Sequence, residues 1–195
     1  MAPRLMSSAR KRGVMNIQGS LVFLRALEET DLPKLHQWAN DQDIQQMVGG
    51  WHFPTSTRDQ QAWLLAQNCK SSDQRFAIVT RDNLLAGMAN LVEIDWKNRN
   101  AFHGILLDEE FRGKGIATDA IWAIMRYSFE ELGLQRLSGS FIESNDKSIA
   151  LYTQKCGWKE EGRQRNFYFR HGRFWDKIIT GITLDDYLEA KKRVK

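Results

Sequence analysis

The sequence predicts an α/β (α+β) domain built on a mixed, mostly antiparallel sheet flanked by helices. Three observations lead there. Three strand-like runs, at residues 75–80, 84–94 and 101–107, are separated only by the short polar turns "RDN" and "DWKNRN", the spacing of an antiparallel meander. A glycine-bearing loop then opens "TDAIWAIMRYSFEEL", whose Ile121, Ile124, Met125, Phe129 and Leu132 share one helical face. A strand, a helix and a hairpin follow to the end of the pattern.

Each element has a local warrant. "SLVFLRAL", residues 20–27, reads as a strand. Thr30 is placed to cap a helix through "DLPKLHQWAN", with Pro33 in the first turn and Leu32, Leu35 and Trp38 on one face. "DQDIQQMVGGWHFPTS" gives a short helical piece and then a loop broken by Gly49, Gly50 and Pro54. "TRDQQAWLLAQNCK" is a second helix capped by Ser56 or Thr57. After the meander and the loop helix, Gly133 is a natural helix stop. "QRLSGSFI" is the next strand, and "NDKSIALYTQKCG" a helix opened by Asn145 and closed by Gly157. "WKEEGRQRNFYFRHGRFWDKIITGITL" alternates and turns at His171-Gly172, a terminal hairpin.

Length and charge bound the rest. At 195 residues one domain is expected, over residues 16–188, with a flexible basic tail at 1–15 and a second basic tail at 189–195. Met15 directly precedes the first structured-looking segment, so residues 1–14 are expected to be an upstream extension. The net charge of +4 sits at the ends: residues 15–190 carry 20 basic against 24 acidic side chains, a net of −4. That argues against a nucleic-acid face on the domain. No apolar run reaches the ~20 residues of a membrane span. Cys69 and Cys156 lie far apart in no metal or redox spacing, which points to a reducing, cytoplasmic setting. His36, His52, His103 and His171 form no metal motif, so no metal is expected.

"FRGKGIATDA", residues 111–120, is the stretch with chemistry in it. Helix starts expose unpaired N–H groups, and glycines let an anion approach them closely. Arg112 and Lys114 add charge. Alone, the stretch fits an ordinary basic turn as well as a phosphate site. The P-loop pattern GxxxxGK[ST] is absent, and Thr118 stands where GxGxxG needs its third glycine, which disfavours a P-loop ATPase and a Rossmann dehydrogenase.

Arg112-Gly113-Lys114-Gly115-Ile116-Ala117 fits the Arg/Gln-x-x-Gly-x-Gly/Ala signature of the GNAT superfamily of acetyl-CoA-dependent N-acetyltransferases. "ILLDEEF" before it and "ESNDKSIALYTQKCGWKEEG" after it resemble that family's flanking strand and next module. "GRFWDKIITGI" and "LVEIDWKNRNAFHGILL" are similar to the ribosomal-protein alanine and spermidine N-acetyltransferase branch, and the likeness covers about residues 18–188. The resemblance implies a GNAT-like acyl-CoA N-acyltransferase fold, acetyl-CoA as co-substrate, a primary amine as acceptor and a homodimer, with no nucleic-acid or membrane partner. It also implies that the backbone of Ile105, Leu106 and Leu107 pairs with the pantetheine arm. The amides of Gly113 to Ala117, beside Arg112 and Lys114, hold the pyrophosphate, and Asn145 contacts the pantetheine or the chain near it.

Acetyl transfer needs a neutral amine, a polarised carbonyl and help for the departing thiolate. Tyr152, seven residues after Asn145, stands where the family places its tyrosine acid; a phenol near ~10 is protonated at neutral pH. A lysine-like amine near ~10.4 costs about 4 to 5 kcal/mol to deprotonate at pH 7, whereas an α-amine near ~7.8 costs about 1. Glu93 in "LVEID" is the leading base, directly or through water, and His103 the second candidate; the alternative for both is an ordinary strand residue. In the acceptor region "HQWANDQDIQQMVGGWHFP", Trp38, Trp51 and His52 can wall a substrate and Asp41 hold its ammonium, or the aromatics can simply pack. Gly49-Gly50 and Trp51 depart from the more acidic pattern of the spermidine enzymes. Three functions remain open: acetylation of a small primary amine (amino sugar or polyamine), acetylation of a protein N-terminus, and a non-catalytic acyl-CoA-binding module.

Overall fold

A computed structural model of the chain describes residues 16–50 and 53–194. In order, the elements are β1 (Ile17–Gln18), β2 (Val22–Ala26), α1 (Leu32–Ala39), α2 (Gln42–Met47), α3 (Thr57–Leu65), β3 (Gln74–Thr80), β4 (Leu85–Asp95), β5 (Asn100–Leu107), α4 (Ile116–Arg126), β6 (Arg136–Ile142), α5 (Asp146–Ala150), β7 (Lys159–Arg170), β8 (Arg173–Thr183) and α6 (Leu184–Val194). The strands form one sheet in the order β1-β2-β3-β4-β5-β6-β8-β7. Every pairing is antiparallel except β5 with β6. The expected mixed, mostly antiparallel sheet is thus the observed one, and the 75–107 meander is β3-β4-β5.

Alternation along the strands divides the apolar residues between two cores. Ile105 and Leu107 of β5, with Ala89 and Leu91 of β4, pack against Ile121, Ile124 and Met125 of α4 and against Tyr152 and Trp158. Leu106 and Met88 point the other way, into a smaller core with Leu35, Trp38, Ile44 and Leu64 from α1–α3. The sheet therefore carries α1–α3 on one face and α4–α6 on the other.

Several local expectations are corrected. Thr30 does not cap α1. A single 3₁₀ turn, Glu29–Asp31, precedes it, closed by a reciprocal box between Glu28 and Asp31. Ser56 rather than Thr57 caps α3, accepting from Asp59 N at 3.1 Å. The basic end is not a separate tail: α6 continues through Glu189 to Val194, with Lys191 paired to Glu130. The proposed flexible tail at 1–15 lies outside the described residues. The helices of α4 and α5 each finish in a π-helical turn, Tyr127–Glu131 and Leu151–Lys155, an extra residue absorbed per turn. The terminal hairpin turns where expected, with His171 at φ 51° and Gly172 at φ 74°, both left-handed as a tight hairpin turn requires.

Candidate active site

The site begins where two strands part. β5 and β6 run parallel and pair only over Asn100–Phe102 with Arg136–Ser138. Beyond that point β5 stays bonded to β4 and β6 to β8, so each keeps one edge without a strand partner. The split opens a cleft of about 450 Å³. Ile105 and Leu106 line one side, Ser140 and Phe141 the other, with Asn145 and Tyr152 at the α5 end. The β5 edge from His103 onward offers main-chain N–H and C=O groups to an extended, amide-containing ligand, as one strand does to the next.

At its end β5 runs into the glycine loop. Gly113 (φ 76°) and Gly115 (φ 79°) are both left-handed, and Gly115 is the residue before the first turn of α4. The α4 amides thus face out of the loop with the helix's positive end. Arg112 donates twice to the carbonyl of Leu107, at 3.2 and 3.1 Å, pinning the loop to the strand that feeds it. Lys114 lies over the Phe111 ring, 5.7 Å from its centroid. Ile116 is buried in the core, while Ala117 is half-buried beside the loop. Asn145 is held as the cap of α5, accepting from Ser148 N at 3.2 Å.

Tyr152 sits on the π-helical turn, 1% exposed, in an aromatic box. Its ring centroid is 4.9 Å from those of Phe141 and Trp158 and 5.8 Å from that of His103. Burial, with the nearby Cys156 adding to it, pushes the phenol well above its ordinary pKa. Its hydroxyl makes no hydrogen bond among the described residues, although the residue lines the cleft. Tyr152 is therefore a protonated O–H donor with a free bond to give.

His103 is also buried, at 2% exposure, and desolvation lowers its pKa to about 4. Its Nδ1 lies 2.8 Å from the Asn90 carbonyl, which can only accept, so Nδ1 carries the proton. Nε2 is left as a buried lone pair without a partner among the described residues. His103 is thus a neutral ring in the cleft wall.

Three expected site residues are placed elsewhere. Glu93 sits on a bulge of β4, where the β4–β5 register shifts between Val92 and Asp95 and its own φ is 54°. Its side chain is exposed and does not line the cleft, and its N–H donates to Asp73 at 2.9 Å. Trp38 is a core residue, 3% exposed, whose indole N–H donates to Asp108 at 2.9 Å beside Lys34. Packing against Leu35 and Ile44 took it out of the substrate wall. Asp41 caps α2 through Ile44 N at 3.0 Å, also outside the cleft. Trp51 and His52 lie outside the described residues.

The structure supplies cleft residues that sequence reading missed. Met47, Gly49 and Tyr168 close one end, the last from the β7–β8 hairpin. Arg75, Asn90 and Gly104 form a row across β3, β4 and β5, since Arg75 pairs with Asn90 and Asn90 with Gly104. The available signal was a polar residue at an inward position of two apolar strands and a glycine at that of the third. Using it required the register.

A sheet that splits along a free edge, and carries that edge into a glycine-cradled helix start, is shaped for a long amide-containing thioester with a phosphorylated far end. The class so defined is that of the acyl-CoA-dependent acyltransferases. Comparison narrows it: the Acetyltransferase (GNAT) domain family matches residues 22–159, and the chain belongs to that family. It is an acetyl-CoA-dependent N-acetyltransferase. It is 31% identical over 174 residues to the spermidine N(1)-acetyltransferase of Vibrio cholerae serotype O1, covering 89% of this chain and 99% of that protein. A prophage-derived uncharacterized N-acetyltransferase of Bacillus subtilis (strain 168) is 30% identical over 169 residues, 87% of this chain and 93% of its own length. The crystal structure of the Vibrio cholerae spermidine N-acetyltransferase in complex with CoA and spermine superposes with a TM-score of 0.79 at 29% identity, covering 87% of this chain and 99% of that one.

Proposed function

We propose that the chain moves an acetyl group from acetyl-CoA to a primary amine of a small molecule, of the amino-sugar or polyamine type, by direct attack on the thioester. The spermidine relatives support the polyamine end of that class. The observation that carries the mechanism is the Tyr152 hydroxyl, protonated and without a partner among the described residues, in the cleft between β5 and β6. The edge of β5 at Ile105 to Leu107 takes the pantetheine amides, the amides from Gly113 to Ala117 take the pyrophosphate, and Asn145 borders the chain near the reacting carbon.

Tyr152 acts first as a hydrogen-bond donor to the sulfur as the tetrahedral adduct collapses. Its raised pKa makes full proton transfer to a thiolate near ~8.5 steeply uphill, so transfer comes late. Glu93 does not line the cleft, so water is the base that takes the amine's proton, with Glu93 reached only through it. The chemistry routes nothing through a metal. The reading includes one catalytic domain over residues 16–188 extended by α6, a homodimer, and a cytoplasmic setting.

Acetylation of a protein N-terminus is the second reading. One observation favours it: among the described residues no carboxylate lines the cleft, and an α-amine near ~7.8 is the acceptor least in need of a base. A putative ribosomal N-acetyltransferase of Bacillus subtilis (strain 168) is 36% identical over 101 residues, 52% of this chain and 55% of that protein.

The deciding experiment follows coenzyme A thiol release over a panel of diamines, polyamines, amino sugars and N-terminal peptides. Turnover with small amines is expected. Tight acetyl-CoA binding with no turnover on any member would leave a silent acyl-CoA-binding module instead.

A further inference from the structure

The cleft's walls differ in charge from what a polycation needs. Among its described lining residues Arg75 is the one charged side chain, and none is acidic. Arg75 is held at the α1–α3 face of β3 with its guanidinium 5.6 Å from the Trp63 ring centroid, and its side chain is 23% exposed. Its protein partners are Gln67 at 3.3 Å and Asp73, with which it forms a long salt bridge at 3.4 Å. Asp73 is itself turned outward, 39% exposed, with its other oxygen accepting from Glu93 N. Three of the five guanidinium N–H donors remain uncommitted.

The next residue in the row adds a second donor. Asn90 Oδ1 accepts from Gly104 N at 2.8 Å, which fixes the amide's orientation. Its Nδ2 donates to nothing among the described residues. Gly104 leaves that amide open: a Cβ there would stand 3.3 Å from Nδ2. Strands lie ~4.8 Å apart, so the Arg75 backbone is ~10 Å from that of Gly104 on β5, and its side chain reaches the same cleft.

We infer that the acceptor is an amine carrying a carboxylate, gripped by Arg75 with Asn90 beside it while the amine reaches the thioester at the β5 edge. Amine and carboxylate are separated by less than ~10 Å. The inference rests on the transfer reading above and narrows its acceptor away from polyamines, whose second and third cations would face Arg75 in a cleft with no acid among its described lining residues. A planar guanidinium is suited to this role because it presents paired donors to a carboxylate.

The test uses the full chain at saturating acetyl-CoA and three amines of one chain length: 6-aminohexanoate, 1-aminohexane and 1,6-diaminohexane, with spermidine as comparator. Expected kcat/KM falls in the order anion, neutral amine, dication, with at least tenfold between first and last. Arg75→Met is expected to lower kcat/KM for 6-aminohexanoate by roughly ten- to a hundredfold, mostly through KM, the size of one charge-assisted contact. The same variant leaves 1-aminohexane and acetyl-CoA within about threefold. Arg75→Lys is expected to recover part of the loss. Preference for the diamine or spermidine, or an Arg75→Met enzyme that keeps its 6-aminohexanoate KM, overturns the inference and leaves acetyl transfer standing. No turnover with any of the four amines, with turnover elsewhere in the acceptor panel above, overturns the inference alone; no turnover across that whole panel, despite calorimetric acetyl-CoA binding, takes down the transfer reading with it.

Discussion

Replacing Tyr152 by Phe removes one oxygen and little else. The ring keeps its neighbours, Phe141 and Trp158 at 4.9 Å and His103 at 5.8 Å. The hydroxyl has no hydrogen-bond partner among the described residues, so its loss orphans no buried group. Stability is expected to move by less than ~1 kcal/mol. The kinetic cost is set by what the hydroxyl does to the leaving sulfur. A hydrogen bond to a group gaining negative charge is worth about 1.5–3 kcal/mol, and late proton transfer adds to it. Together these lower kcat roughly ten- to a thousandfold. Steady-state thiol release gives kcat, calorimetry gives acetyl-CoA affinity, and urea unfolding gives stability. Affinity is expected unchanged. Because the phenol's pKa is raised, the acid stays protonated further into the alkaline range, so wild-type kcat should show no loss from its ionisation below pH ~10. An unchanged kcat in Tyr152→Phe, or a fall that tracks lost stability, refutes the assignment.

Gly115→Val places a β-branched residue at φ 79°, a left-handed conformation costing roughly 1–2 kcal/mol. The added Cβ meets only Leu21 Cδ1, at 3.4 Å, so the strain falls on the loop backbone rather than on packing. Coenzyme A affinity should drop about tenfold or more, and a calorimetric value equal to wild type would sink the phosphate-loop role. His103 has a folded pKa of about 4 against an ordinary 6.5, so the unfolded chain binds the extra proton between those values. Its contribution is therefore intact above pH ~6.5 and is lost as pH falls toward 4, about 3 kcal/mol in all. His103→Gln should flatten that part of the stability profile in urea titrations, and a slope identical to wild type would show that other groups produce it.

The fold was legible because its local signals agree. Short polar turns gave the meander, and glycines at 133 and 157 marked the helix ends, both left-handed in the structure at φ 66° and 79°. The element overlooked is α6. Its signal is present, since Thr183 and Asp186 cap it reciprocally at 3.1 and 3.2 Å and Tyr187 is fully buried against Phe129. A run of charged residues masked it: a single buried tyrosine, with Leu184 packed beside the core, is enough to dock a helix that otherwise reads as a solvated tail. The π-helical turn under Tyr152 was also invisible, because a single extra residue in a helix leaves the apolar period nearly unchanged over so short a span.

The site divides along a physical line. Residues whose role depends on their own segment, Gly113, Gly115, Asn145 and Tyr152, are readable from spacing, because one loop and one helix start place them. Residues whose role depends on register are not. Glu93 is two residues beyond Leu91, which faces the α4 core, and simple alternation would carry it inward as well. The bulge between Val92 and Asp95 breaks that parity and turns it outward. Arg75 shows the converse. Nothing in "DQRFAIVT" distinguishes it from a strand-end cation, yet pairing with Asn90 and through it with Gly104 sets it in the acceptor cleft. The donor half of the reaction is thus built from contiguous sequence, while the acceptor half is assembled across three strands. Relatives sharing the first half can therefore differ in the second at the cost of a few inward-facing positions, and identity near 30% constrains the coenzyme far more tightly than the amine.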